Sequence, residues 1–245
     1  MNGGFREARP IQFGGPVAPG VKTLFWATVA VWVFQLLSGF LAGARLERLF
    51  GLVPYDVTHH LFVWQLATYL LLHGTDLFHI LFNMLALWMF GSELEWLWGT
   101  KRFIRFYFIT GVGAAVCSTL VAPGSTMPII GASGAIYGLL AAYGILFPNQ
   151  TLLFAFLFPI KAKYFVLILG ALSFWMSLSS PGDGVAHVAH LGGMLFGWLY
   201  LRGPRGLSGI RLPFREWIER WRRERLKRKF KVYYRETRGK DDSEE

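Results

Sequence analysis

Apolar residues run along this chain in blocks too long and too poor in charge for an ordinary soluble core, separated by short polar or basic connections. Blocks of about 17–25 residues are what a helix needs to cross a hydrocarbon layer. On that criterion the pattern predicts spans at residues 24–41, 66–90, 103–121, 133–147, 164–179 and 185–201. The fourth and fifth are short at roughly 1.5 Å per residue, so the fourth is expected to begin below the membrane surface, and its first residue is Ser133. Residues 63–72 lengthen the second block towards its start. The connection over residues 42–65 carries Arg45 and Arg48 but also Tyr55, Leu61, Phe62 and Trp64, which reads as a substructure lying partly in the interface.

Composition agrees with this reading: 53% of the 245 residues are hydrophobic and 16% are charged, far from soluble base rates. The expected organisation is a flexible cytoplasmic tail over residues 1–22, one six-span membrane domain over residues 23–203, and a basic cytoplasmic tail over residues 204–245. The first 22 residues lack the short apolar core and small-residue cleavage site of a removable signal. Positive charge sets the orientation. Lys101, Arg102 and Arg105 follow the second span, Lys161 and Lys163 lie between the fourth and fifth, and the basic tail follows the sixth, so both termini are expected inside. In that tail Trp217, Ile218, Trp221 and Leu226 among many arginines and lysines suggest an amphipathic helix on anionic lipid headgroups. Nucleic-acid binding is the rival reading of such a run, and it is not expected where orientation alone requires the charge. Cys117, the single cysteine, reads as a small buried hydrophobe.

This topology has a chemical consequence. Spans two, four and six all run inward from the outer side, and their first turns hold His79 with Asn83, Ser133, and His190, which converge at one depth. Polar groups inside a membrane are costly unless paired, and mark functional sites by default. A serine hydroxyl becomes a nucleophile when a histidine takes its proton, and His190 is the candidate base for Ser133. Helices approach closely where small residues line the contact. Gly134, Gly138 and Ala142 supply them on the fourth span, and Ala189, Gly193 and Gly197 on the sixth. Tyr137 shares a helix face with Ser133 and is expected to pack on the imidazole. His79 and Asn83, four apart, share a face as donors for an oxyanion, joined by the Ser133 N–H at a helix N-terminus. Asp183 lies in a Pro-Gly-Asp-Gly turn, which reads as loop chemistry, so the site is a dyad and not a triad.

At these residues the chain resembles the rhomboid family of intramembrane serine proteases. Gly131-Ala132-Ser133-Gly134 with Tyr137 four residues beyond the serine resembles the family's Gly-x-Ser-Gly motif. His190, Gly193 and Gly197, preceded by Ala189, resemble its His-x-x-Gly-x-x-x-Gly, and His79 with Asn83 its His-x-x-x-Asn. Glu95 and Gly99 resemble the Glu-x-x-x-Gly after the second span. The resemblance covers residues 61–201 and implies an all-α membrane bundle of six transmembrane helices. It implies Ser133 as nucleophile, His190 as general base, and His79 and Asn83 as oxyanion donors, with no cofactor or metal. His73 resembles a further family histidine with one extra residue before His79, and the seventh span of some members is absent.

The substrates implied are transmembrane or membrane-proximal segments of other proteins, and a bacterial cytoplasmic membrane is the preferred location. Competing readings attach to several residues. His187 lies on the same turn as His190 but does not head the glycine stripe; His59 and His60 read as interfacial loop residues. Asn149-Gln150-Thr151 is an incidental acceptor string on the inner side. Glu93 and Glu95 are expected to pair with Lys101, Arg102 or Arg105. A non-catalytic rhomboid-like binding protein is the alternative function. A solute transporter predicts internal inverted symmetry, which the sequence does not display.

Overall fold

The computed structural model describes residues 16–42, 46–154, 158–179 and 184–203. The first apolar block forms α1 (Pro19–Ala42). It begins ahead of residue 24, because Pro19 is pre-set for a first helical turn and Ala18 and Val21 are fully buried. The last residues assigned to a flexible tail are thus the start of a span, while residues 1–15 lie outside the described residues. Glu95 explains how that start is held. Its carboxylate accepts from the N–H groups of Gly20 and Val21 at 2.7 and 2.8 Å and from the Thr100 hydroxyl at 2.6 Å. A helix leaves its first N–H groups without partners, and a buried carboxylate placed there answers both them and the helix dipole. Glu95, expected to serve an ion pair with nearby cations, acts as the N-terminal cap of another helix.

The connection after α1 is built, as expected, as a substructure. It contains α2 (Leu46–Phe50), α3 (Pro54–His59) and α4 (Gln65–Thr68), followed by a 3-10 turn at Tyr69–Leu71. Buried Gln65 joins its parts, accepting from the Val53 N–H at 3.0 Å and donating to the Arg48 carbonyl at 3.2 Å, while Leu61, Val63 and Trp64 stay exposed. This corrects the start of the second span. Residues 66–72 do not continue into it, because the chain turns through His73-Gly74-Thr75-Asp76 and Asp76 caps a new helix by accepting from the Phe78 N–H at 3.0 Å. The span is α5 (Leu77–Ala86), a π-helical segment Leu87–Gly91 and α6 (Ser92–Trp98) in succession. It ends at Gly99, whose φ of +81° makes the corner into α7 (Thr100–Val121).

The remaining blocks give α8 (Ser133–Leu146), α9 (Ala162–Ser179) and α10 (Gly184–Arg202). Between α8 and α9 a hairpin of β1 (Thr151–Phe154) and β2 (Phe158–Lys161) pairs antiparallel, with Thr151 opposite Lys161. The hydropathy pattern gave no warning of it, since a short apolar run reads as the tail of a span as easily as a strand. Among the described residues four helical stretches are long and apolar enough to cross a membrane: Pro19–Gly39, Leu77–Trp98, Thr100–Val121 and Ala162–Ser179. α8 is shorter, at 14 residues and roughly 21 Å. It is also the most enclosed in character, with ten of its residues buried, whereas α9 buries Ala162 and Ser173. The interfacial helix expected near Trp217 lies outside the described residues.

Candidate active site

The site is built on the loop that enters α8. Gly131 has φ of +124°, a conformation that side chains rarely adopt, and a Cβ added there would lie 2.9 Å from His79 Nε2. The loop's backbone groups are accounted for in order. Gly131 N–H donates to the Tyr69 carbonyl at 3.0 Å, and Leu52 and Ile129 exchange both backbone bonds at 2.9 and 2.8 Å just before it. Ala132 N–H donates to His73 Nε2 at 3.4 Å. The Ala132 carbonyl accepts from Ile136 N–H at 3.1 Å, which starts the α8 ladder. Ser133 is the first residue of that helix, so its own N–H has no intrahelical acceptor.

Ser133 Oγ and His190 Nε2 are 2.8 Å apart. The residues come from α8 and α10 and are 57 positions apart in sequence. His190 lies in the second turn of α10, not the first, because the helix starts at Gly184. The Tyr137 ring stacks on the imidazole, with centroids 4.1 Å apart and planes inclined by 5°, as its place one turn after Ser133 predicts. His187 meets the same imidazole edge-on at 5.7 Å. Among the described residues His190 Nδ1 has no hydrogen-bond partner, and Asp183 lies outside them.

The glycine seam that brings the two helices together is more specific than a stripe of small residues. A Cβ at Gly193 would fall onto the Gly134 carbonyl, and one at Gly197 would come within 2.9 Å of the Gly138 carbonyl. The glycines of α8 face a second neighbour. A Cβ at Gly134 would lie 2.8 Å from Ala114 Cβ and 2.7 Å from Tyr69 Oη, and one at Gly138 would lie 2.5 Å from Thr110, both threatening α7. Ala189, before the histidine, is buried and its carbonyl is 3.8 Å from the Gly134 Cβ position. α8 is therefore wedged with backbone contact towards α10 and side-chain contact towards α7.

The two expected oxyanion donors are placed differently. His79 reaches the loop, with its ring beside Gly131 and 5.1 Å from the ring of His73. Asn83 is buried and one turn further on, and its amide donates to the His79 backbone carbonyl at 2.8 Å. The sequence reading undervalued His73, which is fully buried and bonded to the serine's neighbour. Its signal was the polar string His73-Gly74-Thr75-Asp76 interrupting an apolar block. Gln35 was missed altogether: a lone amide in an otherwise apolar span is a recognised pointer to function, but its partners are far away in sequence.

A family model described as the rhomboid domain matches residues 60–203, which include His73, His79, Asn83, Ser133, Tyr137 and His190. The chain belongs to the rhomboid family. It is a multi-pass integral membrane protein with an all-α bundle. It is 33% identical over 135 residues to the rhomboid protease GluP of Bacillus subtilis, covering 55% of this chain and 25% of that one. It is 31% identical over 131 residues to rhomboid protein 1, mitochondrial, of Saccharomyces cerevisiae, covering 51% and 37%. A longer match, 28% identical over 207 residues, is to rhomboid-like protease 3 of Toxoplasma gondii, covering 80% of this chain and 75% of that one. The aligned stretches thus span a quarter of the Bacillus relative and little more than a third of the yeast one.

Proposed function

We propose that this rhomboid is an intramembrane serine endopeptidase, and the observation that carries the reading is the 2.8 Å contact between Ser133 Oγ and His190 Nε2. In this mechanism Ser133 Oγ attacks the carbonyl carbon of a peptide bond while its proton passes to His190 Nε2. The imidazolium then protonates the leaving amine as the C–N bond breaks. Water attacks the acyl-enzyme, giving a proton to His190, and the proton returns to Ser133 as the carboxyl product leaves. The stacked Tyr137 ring restricts the imidazole to the orientation that faces Ser133. With no partner for Nδ1 among the described residues, packing takes over the orienting role a carboxylate has in a triad.

The developing oxyanion is served by the Ser133 N–H at the start of α8, where the helix dipole adds to the field. Backbone accounting supports that choice, because the N–H groups of Gly131 and Ala132 are already committed. His79 is the side-chain donor nearest the loop. Asn83 joins it through the second hydrogen of its amide, the first being held by the His79 carbonyl. Substrates are transmembrane or membrane-proximal segments. A helical backbone shields its carbonyls in hydrogen bonds, so segments with Gly or Pro near the cut unwind most readily. Proximity of the dyad to the outer leaflet and cytoplasmic termini follow from the charge pattern of the connections, and a bacterial inner membrane is the preferred location.

The alternative, a rhomboid-like protein that binds membrane clients without cutting, retains no reason for a serine and a histidine in hydrogen-bond contact. A fluorophosphonate probe in isolated membranes separates the two. The protease reading expects labelling that is lost in Ser133→Ala and His190→Ala and kept in His187→Ala. No labelling, or labelling undiminished in Ser133→Ala, contradicts it.

A further inference from the structure

Gln35 sits in α1, only 6% exposed, and makes an unusually complete set of bonds. Its Nε2 donates to the His73 carbonyl at 2.8 Å and to Glu47 Oε1 at 2.6 Å, and its Oε1 accepts from the His73 N–H at 3.3 Å. The amide thereby grips both backbone groups of one residue, as a neighbouring strand would. One turn earlier on α1, Trp32 Nε1 donates to the carbonyl of the next residue, Gly74, at 3.0 Å. Two side chains of α1 therefore hold the His73-Gly74 backbone.

The side chain of that gripped residue is the one that meets the catalytic loop. His73 Nε2 accepts from Ala132 N–H at 3.4 Å, and Ala132 immediately precedes Ser133. A neutral imidazole offers a single accepting nitrogen, so the ring's position decides whether Ala132 N–H is satisfied. Ser133 has no helical N–H bond of its own to fix it; its direction is inherited from this loop. His73 also lies 5.1 Å ring to ring from His79, so the same grip bears on the nearest oxyanion donor.

We propose that Gln35 is a positioning residue for the nucleophile, acting through the backbone of His73 and the imidazole bond to Ala132. The inference rests on the reading of Ser133 as nucleophile. Releasing the grip lets the His73 ring leave Ala132, and a displacement of about 1 Å at a reacting group costs on the order of 100-fold in rate. A purely structural role, tying α1 to the bundle, would instead lower stability without changing the chemistry of the folded fraction.

The test is the rate of Ser133 phosphonylation by a fluorophosphonate, with kcat and KM for a single-span substrate and thermal unfolding, on full-length protein in detergent. Gln35→Met, an apolar side chain of similar length, is expected to lower phosphonylation rate and kcat together by about 10- to 100-fold with KM changed by less than about twofold. In a His73→Ala background the same substitution is expected to cause no further loss, since coupled residues are not additive. Trp32→Phe removes the bond to Gly74 while keeping an aromatic ring against the core and is expected to slow phosphonylation by about fivefold; it carries the test if Gln35→Met does not fold. Additive losses with His73→Ala, or an unchanged rate in a folded Gln35→Met or Trp32→Phe protein, would overturn the proposal. Failure of the unsubstituted protein to react would overturn the nucleophile reading and this role with it, whereas reaction of the unsubstituted protein and the variants at one rate overturns the positioning role alone.

Discussion

The faces of α8 and α9 towards their neighbours show two ways of packing apolar helices. On the α8–α10 seam, backbone lies against backbone: a Cβ at Gly193 would fall onto the Gly134 carbonyl, and one at Gly197 would come within 2.9 Å of the Gly138 carbonyl. Around α9 the contacts run through side chains. A Cβ at Gly144 of α8 would lie 3.0 Å from Val166 Cγ2, and one at Gly170 of α9 would lie 3.3 Å from Met194 Sδ. A carbonyl in a helix cannot step aside without moving its helix, whereas a methionine has rotatable bonds to spare. The rigid seam is the one that carries Ser133 and His190, and the adaptable one borders a helix that is mostly exposed.

Substitutions along these contacts should rank accordingly. Gly193→Ala is expected to have the largest effect, forcing α10 from α8, lowering cleavage by about 100-fold or more and lowering Tm. Gly197→Ala, one turn further from the dyad, should destabilise by about 1–3 kcal/mol with a smaller loss of rate. Gly144→Ala requires Val166 to shift by a few tenths of an ångström, and a modest fall in Tm with catalysis retained is expected. Gly170→Ala should be close to silent in both thermal unfolding and turnover. If Gly170→Ala proved as damaging as Gly193→Ala, the distinction between the two kinds of contact would fail. A subtler probe of the rigid side is Tyr137→Leu, which removes a stacked ring worth about 0.5–1.5 kcal/mol. It should reduce kcat several-fold, while Tyr137→Phe, which keeps the ring, should leave kcat nearly unchanged.

How much of this was legible in the sequence follows from what kind of interaction was involved. Ser133, Tyr137 and the glycines of α8, like His190 and the glycines of α10, are periodic features, so helical geometry brings each set to one face of its own helix, and the structure packs those two faces together. Features that depend on where a polar group finds its partner were not readable. Glu95 reaches back to Gly20 and Val21, 75 and 74 positions away, and Gln35 reaches forward to His73, 38 positions away; at such separations sequence offers only the lone polar residue as a hint. Boundaries failed where two signals competed. Residues 66–72 are apolar enough for a span, but the Asp76 cap and the turn before it outweigh hydropathy and give α5 a later start. The β1–β2 hairpin lies in the connection between the fourth and fifth blocks, where a short apolar run carries too little periodicity to mark a strand.

The central claim is that Ser133 and His190 form a working dyad that cuts a membrane-protein backbone. Its most direct test is to reconstitute the protein in lipid vesicles with a single-span substrate carrying a Gly-containing transmembrane segment, and to identify the products by mass spectrometry. The account predicts a pair of fragments that meet at one bond within or beside that segment and that vanish in both Ser133→Ala and His190→Ala. Fragments that persist unchanged in Ser133→Ala would contradict it.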